Sequence, residues 1–314
     1  MTSAFGSSGS LGAPTSPGSP APVELSASRA ADVEGFTVRR ALPQRARRTV
    51  GAWCFVDHLG PVSSPPGPAM AIGPHPHIGL HTVTWLFSGE VEHRDSLGSH
   101  QLIRPGQLNL MTAGRGIAHA EEAQPGWQGT AHGAQLWVAQ PDSTRWGEPA
   151  FEHHAELPEV SVGPARVTVL VGGYGSVHSP ARRDTELVGV DVRHAGGRAV
   201  LVVEPGFEHA VVVVEGAVEV DGAPVEPGSL GYLAPGRSEL VVDAAVPARF
   251  LVLGGEPFPE ELLMWWNFVA RTRTEIDDAI ADWQAGRLRF GPVTSRLGRI
   301  PAPRPHWVPA PRAD

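Results

Sequence analysis

Lysine is absent from the sequence, in which all 25 cationic residues are arginines. Without lysine the chain cannot form a Schiff base with a carbonyl substrate or pyridoxal cofactor, and it cannot contain a Walker-type phosphate loop. Cysteine occurs once, at Cys54, which excludes an intrachain disulfide and cysteine-bound iron–sulfur or zinc clusters. Because a single cysteine is typical of a reducing compartment, we expect a cytoplasmic protein.

Long hydrophobic runs are also missing. The longest apolar stretches, such as "AVVVV" at 210–214, read as strands and are far shorter than the roughly 18 residues of a membrane helix. Residues 1–22 are rich in Ser, Gly and Pro and have neither a cationic start nor an apolar core, so they predict a disordered tail rather than a signal peptide. No membrane association is expected.

The chain has little positive charge. Its formal net charge is −8, which argues against a nonspecific grip on nucleic acid, since that grip depends on cationic side chains that neutralise phosphates. One basic cluster is present, at Arg39, Arg40, Arg45, Arg47 and Arg48. A solvated strand and turn with local ion pairs explains it better than a nucleic-acid patch, and no direct nucleic-acid binding is predicted.

Strand patterns dominate from about residue 35 to 255, where short runs of Val, Leu, Thr and Trp alternate with Gly- and Pro-containing turns. One amphipathic helix is predicted over 274–286, with Thr274 as its N-cap. Trp265 and Trp266, just before this helix, are interpreted as packing residues. The fold class expected from these patterns is all-β with a short C-terminal helix.

An internal repeat indicates that the β-unit is duplicated. "PGQLNLMTAGR" at 105–115 resembles "PGSLGYLAPGR" at 227–237, and "FSGEVE" at 87–92 resembles "VEGAVEV" at 214–220. The similar segments occur in the same order in both halves of the chain, which supports two β-barrels.

Two pairs of candidate metal ligands lie in the first half. His75 and His77 in "GPHPHIGLH" are two residues apart, as are His119 and Glu121 in "GRGIAHAEE". Because residues i and i+2 of a strand face the same side, neighbouring strands would bring the four side chains together. Three imidazoles and one carboxylate suit Fe(II), Mn, Ni, Cu or Zn better than Mg or Ca. The competing interpretation is that these histidines are exposed on the surface. One pair alone would be weak evidence against it, and the second pair makes the metal site the favoured interpretation.

The repeat provides an internal comparison. Aligning the two halves on Gly89 with Gly216 and on Pro105 with Pro227, without gaps, gives the counterparts of these four positions as Val202, Glu204, Val241 and Asp243. Valine cannot bind a metal, so the second barrel is predicted to hold none.

The segments "VGAWCFVDHLGP", "HPHIGLHTVTWLFSGEVEHRDSLGS" and "IRPGQLNLMTAGRGIAHAEE" resemble successive blocks of the pirin family, which belongs to the cupin superfamily. The resemblance implies two tandem cupin domains: a metal-binding domain over 23–160 and a metal-free domain over 161–256. The helix and tail of 257–314 would pack on the barrels. It also implies one divalent transition metal on His75, His77, His119 and Glu121. Fe(II) is the first choice, and Mn, Ni, Cu, Zn and Co are alternatives.

Two functions follow from this resemblance. The first is a quercetin 2,3-dioxygenase-type oxidoreductase that opens flavonols with O2. The second is a redox-sensitive iron-binding regulator that acts through a protein partner. In the enzyme, Glu121 or His81 would take the proton of the substrate hydroxyl. Three roles are open for His81: a fifth ligand, a proton acceptor beside the ligands, or a wall of the pocket.

Overall fold

The computed structural model describes residues 21–64 and 71–308. All but the last two residues of the predicted disordered tail lie outside this part of the chain. Within it, 25 strands and one short helix form, almost all the strands belonging to two antiparallel barrels. The prediction of an all-β protein built from two tandem barrels is confirmed.

The first barrel has a larger and a smaller sheet. In pairing order the larger sheet contains β12 (Ala150–His154), β9 (Leu108–Thr112), β6 (Leu80–Ser88), β11 (Gly129–Ala139), β4 (Trp53–Ser64), β3 (Phe36–Leu42) and β2 (Arg29–Val33). The smaller sheet contains β5 (Ala71–His77), β10 (Ile117–Glu122), β7 (Val91–Asp95) and β8 (His100–Ile103).

The second barrel repeats this order. Its larger sheet contains β1 (Glu24–Ala27), β21 (Ser229–Leu233), β18 (Glu208–Glu215), β23 (Ala248–Gly255), β16 (Leu187–His194), β14 (Ala165–Tyr174) and β13 (Glu159–Val162), with β15 (Val177–His178) beside β14. Its smaller sheet contains β17 (Gly197–Val202), β22 (Glu239–Ala244), β19 (Val218–Val220) and β20 (Ala223–Val225). Strand β1 precedes the first barrel in the chain yet pairs with β21 of the second.

The strand register corrects the alignment of the repeats by one residue. Glu121 pairs with His93 in the first barrel, and Val242 pairs with Val220 in the second. His93 and Val220 follow the aligned glycines at the same distance, so the counterpart of Glu121 is Val242 and not Asp243. A shift of one residue moves a strand side chain to the opposite face. The counterparts of His75, His119 and Glu121 are the buried aliphatic residues Leu201, Leu240 and Val242.

The two barrels share an apolar core between their larger sheets. Trp53 of β4 is completely buried there, and its indole N–H lies 3.0 Å from the carbonyl oxygen of Val188 and 3.2 Å from that of Gly254. The interior of the second barrel is a separate cluster, filled largely by valines. The interior of the first barrel has a smaller apolar cluster, which includes Phe55, Trp137 and Ile117.

A hairpin and the helix cover the outer face of the ligand-bearing sheet. The hairpin consists of β24 (Leu263–Trp265) and β25 (Phe268–Ala270), and it leads into α1 (Arg273–Gln284). Buried residues of the helix pack with Ala118 of β10. The N-cap is Thr272 rather than the predicted Thr274, because the Thr272 hydroxyl accepts a hydrogen bond from the Glu275 amide three residues later.

Among the described residues, no helix has the length and apolar character needed to cross a membrane.

Candidate metal centre

Three of the four predicted ligands converge at one point inside the first barrel. His75 and His77 come from β5, and β10 pairs with β5 so that His119 lies opposite His75. One ring nitrogen of each histidine lies within 4.8 Å of the other two, and the Nε2 atoms of His77 and His119 are 3.0 Å apart. All three rings are buried. The pairing of adjacent strands, with same-face histidines on each, produces this cluster.

Backbone carbonyls fix two of the rings. His75 Nδ1 lies 2.8 Å from the Gly73 oxygen, and His77 Nδ1 lies 3.0 Å from the Asn267 oxygen. A carbonyl oxygen only accepts, so each Nδ1 carries the proton and each Nε2 presents a lone pair. Burial lowers the pKa of His75 to about 4 and that of His77 well below its ordinary value. Both rings are therefore neutral at pH 7, as metal ligands must be.

His119 is oriented by His93, a residue that was not predicted from the sequence to belong to the site. His119 Nδ1 lies 3.3 Å from Nδ1 of His93, whose Nε2 lies 3.2 Å from Asp95 Oδ2. Asp95 is held by the amides of Leu97 and Ser99. With His93 donating to Asp95, its Nδ1 accepts the proton of His119, and His119 Nε2 is left free. The His-x-Asp pair in "VEHRDS" was the available sequence signal.

The donor set fits one transition metal. In the tautomers described above, the Nε2 lone pairs of His77 and His119 face each other at 3.0 Å, an arrangement that a cation between them would relieve. Their separation matches two nitrogens at right angles around an ion with metal–nitrogen bonds of about 2.0–2.1 Å. Neutral imidazoles suit Fe, Ni, Cu and Zn. The three histidines therefore have the spacing and chemistry to hold a single metal ion.

Removing the support of His119 should weaken metal binding. The substitution His93→Phe preserves a ring that can stack on Phe151, whose centroid is 4.3 Å from that of His93, but removes the acceptor for His119 Nδ1–H. We expect the Kd for Zn²⁺ or Ni²⁺ to rise about 10- to 100-fold in competition with a chromophoric chelator. The matched variant His100→Phe, in the neighbouring edge strand, should bind as the parent does. If His93→Phe binds the metal as tightly as His100→Phe does, His93 does not support His119 in this way.

Glu121 faces the same cavity as His75 and His77 but lies outside the cluster of three histidines. It is buried, and its Oε1 accepts a hydrogen bond of 3.1 Å from the Thr84 hydroxyl. Thr84 Oγ1 is also 3.0 Å from Oε1 of Gln135. Because one hydroxyl has one proton, Thr84 donates to one of these two oxygens at a time. Burial raises the pKa of Glu121. Its role as the fourth ligand stays a prediction.

His81 points into a different network. It is buried, with Nδ1 2.9 Å from the Thr112 hydroxyl and Nε2 3.1 Å from Asp184 Oδ2. Asp184, from the segment before β16, also accepts from Gln140 and Thr144. Although burial opposes it, contact with His81 holds the pKa of Asp184 well below its usual range. Within the described chain, His81 belongs neither to the histidine cluster nor to the cavity lining, so its proposed catalytic role gains no support here.

The cavity over the histidines has a volume of about 590 Å³, which lies within the usual range for small-molecule sites of roughly 300–1,000 Å³. Three aromatic side chains line it, namely Phe55, Trp137 and Trp266. Phe55 and Trp137 stack with their ring centroids 3.9 Å apart. Polar and charged residues line the rest of the space beside the two histidines, namely Asp32, Glu34, Arg40, Asp57, Thr84, Glu121, Gln135 and Asn267. The arrangement suits a flat aromatic molecule with polar substituents beside a metal.

The chain is similar to proteins of one family. A family model described as Pirin matches residues 35–138, and one described as Pirin C-terminal cupin domain matches residues 190–290. A Pseudomonas aeruginosa protein named "Putative quercetin 2,3-dioxygenase" is 46% identical over 282 residues, 89% of each chain.

Solved structures agree. A crystal structure of quercetin 2,3-dioxygenase from Acinetobacter baumannii is 42% identical, with a TM-score of 0.88 over 92% of this chain and 97% of that one. A bacterial pirin from Escherichia coli, solved in complex with nickel(II), is 17% identical with a TM-score of 0.59 over 75% and 99% of the two chains, and it shares the fold. The chain belongs to the pirin family of two-domain cupin proteins.

Proposed function

We propose that this protein is a metal-dependent dioxygenase that opens the central ring of flavonols such as quercetin. The observation that carries the proposal is the buried cluster of three histidines at the wall of an aromatic-lined cavity of about 590 Å³. Related proteins named for this activity support it. We also propose a cytoplasmic location, because one unpaired, buried cysteine fits a reducing compartment.

The residues of the cavity have distinct tasks in this reaction. His75, His77 and His119, with Glu121 as proposed fourth ligand, would hold one divalent transition metal, Fe(II) being our first choice. When bound, such an ion supplies a Lewis acid and a centre that reacts with O2. Glu121 takes the proton of the flavonol 3-hydroxyl, because its carboxylate faces the cavity on the same wall as the histidines.

The surrounding side chains position the substrate. Thr84 holds the Glu121 carboxylate through its hydroxyl, and Gln135 holds Thr84 in turn. Trp137 packs edge-on against His77, with centroids 5.3 Å apart, so the aromatic wall continues directly to a ligand. A flat ring system that lies along this wall brings its hydroxyl to the histidines.

Oxygen uptake tests the proposal. Protein loaded separately with Fe(II), Mn, Co or Ni should consume O2 and bleach the flavonol absorbance, with one O2 used per flavonol opened. Protein treated with chelator should do neither. If metal-loaded protein turns over no flavonol in air, the proposal fails. If the oxidation state of bound iron also changes binding to a protein partner, the regulatory function inferred from the sequence replaces it.

A further inference from the structure

Trp266 has a backbone conformation that its side chain disfavours. Trp265 pairs with Phe268, so Trp266 and Asn267 form the two-residue loop of the β24–β25 hairpin. The φ of Trp266 is +53°, in the left-handed region where a bulky residue is an outlier. Asn267 does not share this positive φ, and a two-residue hairpin in which only the first loop position has positive φ normally has glycine there.

Two other non-glycine residues in the described ranges have positive φ, and both lie in turns of an ordinary type, although Glu34 also lines the cavity. Glu34 and Asp221 each precede a glycine, in Glu34-Gly35 and Asp221-Gly222 turns in which both residues have positive φ. That pattern is the usual chemistry of a tight hairpin, where the glycine relieves the second position. Trp266 is followed by Asn267 and has the largest side chain of the three. The turn sequence does not favour this conformation at Trp266, so contacts outside the turn must stabilise it.

The turn places two groups at the metal cavity at once. The Asn267 carbonyl accepts the hydrogen bond of His77 Nδ1 at 3.0 Å, and the Trp266 ring lines the cavity. Trp266 is kept in place by Phe268, which meets it edge to face with centroids 5.5 Å apart and is itself completely buried. Strained residues persist where the surrounding structure determines them, and they concentrate at ligand sites.

The neighbouring tryptophan shows what a packing role looks like. Trp265 donates its indole N–H to the Pro303 carbonyl at 3.1 Å, and its ring packs on Trp307 with centroids 5.3 Å apart. The cavity lining does not include it among the described residues. Both tryptophans pack against the apolar cluster of the hairpin and helix, but of the two it is Trp266 that lines the cavity and has the strained backbone.

We propose that Trp266 determines the substrate specificity of the cavity by providing the flat surface on which a planar aromatic ring of the substrate stacks. Phe55 and Trp137 form the other aromatic surface, and the two surfaces come from different parts of the chain. The inference rests on the proposed function for the identity of the ligand, a planar flavonol. A dihydroflavonol has a saturated bond in its central ring and is not planar, so it gains less from stacking.

Anaerobic titration of Zn²⁺-loaded protein tests this without turnover. For Trp266→Gly we expect the Kd of a flavonol to rise about 3- to 10-fold, as loss of one aromatic contact predicts. The Kd of the matching dihydroflavonol and the zinc content should stay unchanged. Trp266→Asn, which also tolerates this conformation, should give the same loss of planar preference, and Trp265→Phe should not.

The outcomes separate this inference from the proposed function. If both variants at position 266 lower the Tm and keep the preference for the planar ligand, Trp266 is a packing residue and the inference is overturned. Failure of the parent protein to bind either ligand also overturns it. If the parent binds flavonol with the expected preference yet consumes no O2 in air with any metal, the dioxygenase proposal fails and the stacking role stands.

Discussion

A protein that carries both His75→Ala and His119→Ala should contain no transition metal when purified, and it should consume no O2 with a flavonol. The two substitutions remove two of the three nitrogens that converge in the barrel. Structural zinc sites bind with an apparent free energy of about 10–16 kcal/mol, so loss of two ligands weakens binding by at least about 10³-fold. Elemental analysis of protein prepared without added metal measures the effect directly.

A matched control is available in the second barrel. His209 is also buried on a strand, and neither of its ring nitrogens has a hydrogen-bond partner in the described part of the chain. His209→Ala should therefore keep the full metal content. Added Zn²⁺ should raise the Tm of the parent and of this control, since a ligand that binds only the folded state stabilises it. It should not raise the Tm of the double variant. Full metal occupancy in the double variant would show that the metal binds elsewhere.

The histidine cluster could be predicted from the sequence because its signal is local. Two residues at i and i+2 on a strand share a face, and the repeated β-units indicated that the strands of His75 and His119 belong to one barrel. His93 was not predicted, because its role depends on β7 lying beside β10, which spacing does not reveal. The Asn267 carbonyl that holds His77 comes from the distant C-terminal hairpin, and any residue type offers a carbonyl. A contact to a backbone carbonyl of this kind cannot be read from the sequence.

His81 shows where the period-two argument ends. It follows His77 by four residues, which in one continuous strand would place both side chains on the same face. Gly79 interrupts the strand with a φ of +68°, and a methyl group there would lie 2.2 Å from the Val269 carbonyl oxygen. The chain turns at this point from the smaller sheet into the larger one, so His81 faces Thr112 and Asp184 instead. Because the strand is interrupted at Gly79, the face on which His77 lies does not predict the face on which His81 lies.

Replacing Glu121 with glutamine should lower flavonol turnover by about 10²- to 10⁴-fold, the usual contribution of a positioned general base. Glutamine has nearly the same size and can accept the Thr84 hydrogen bond through its amide oxygen, but it cannot take a proton at neutral pH. The cavity shape should be preserved. Thr84→Val leaves the carboxylate in place without its hydroxyl partner, so we expect a smaller loss in the same direction.

Metal titration of the Glu121→Gln variant separates the two roles assigned to this residue. If Glu121 acts only as a metal ligand, the variant should have a higher metal Kd, and saturating metal should restore its kcat. A proton acceptor would leave kcat low at full metal occupancy, because the missing step is chemical and not one of binding. The position of Glu121 favours the second result, since it faces the cavity beside His75 and His77 but stands apart from the three converging nitrogens. Parental kcat at full occupancy would remove Glu121 from the proton transfer and leave it, at most, the role of a fourth ligand.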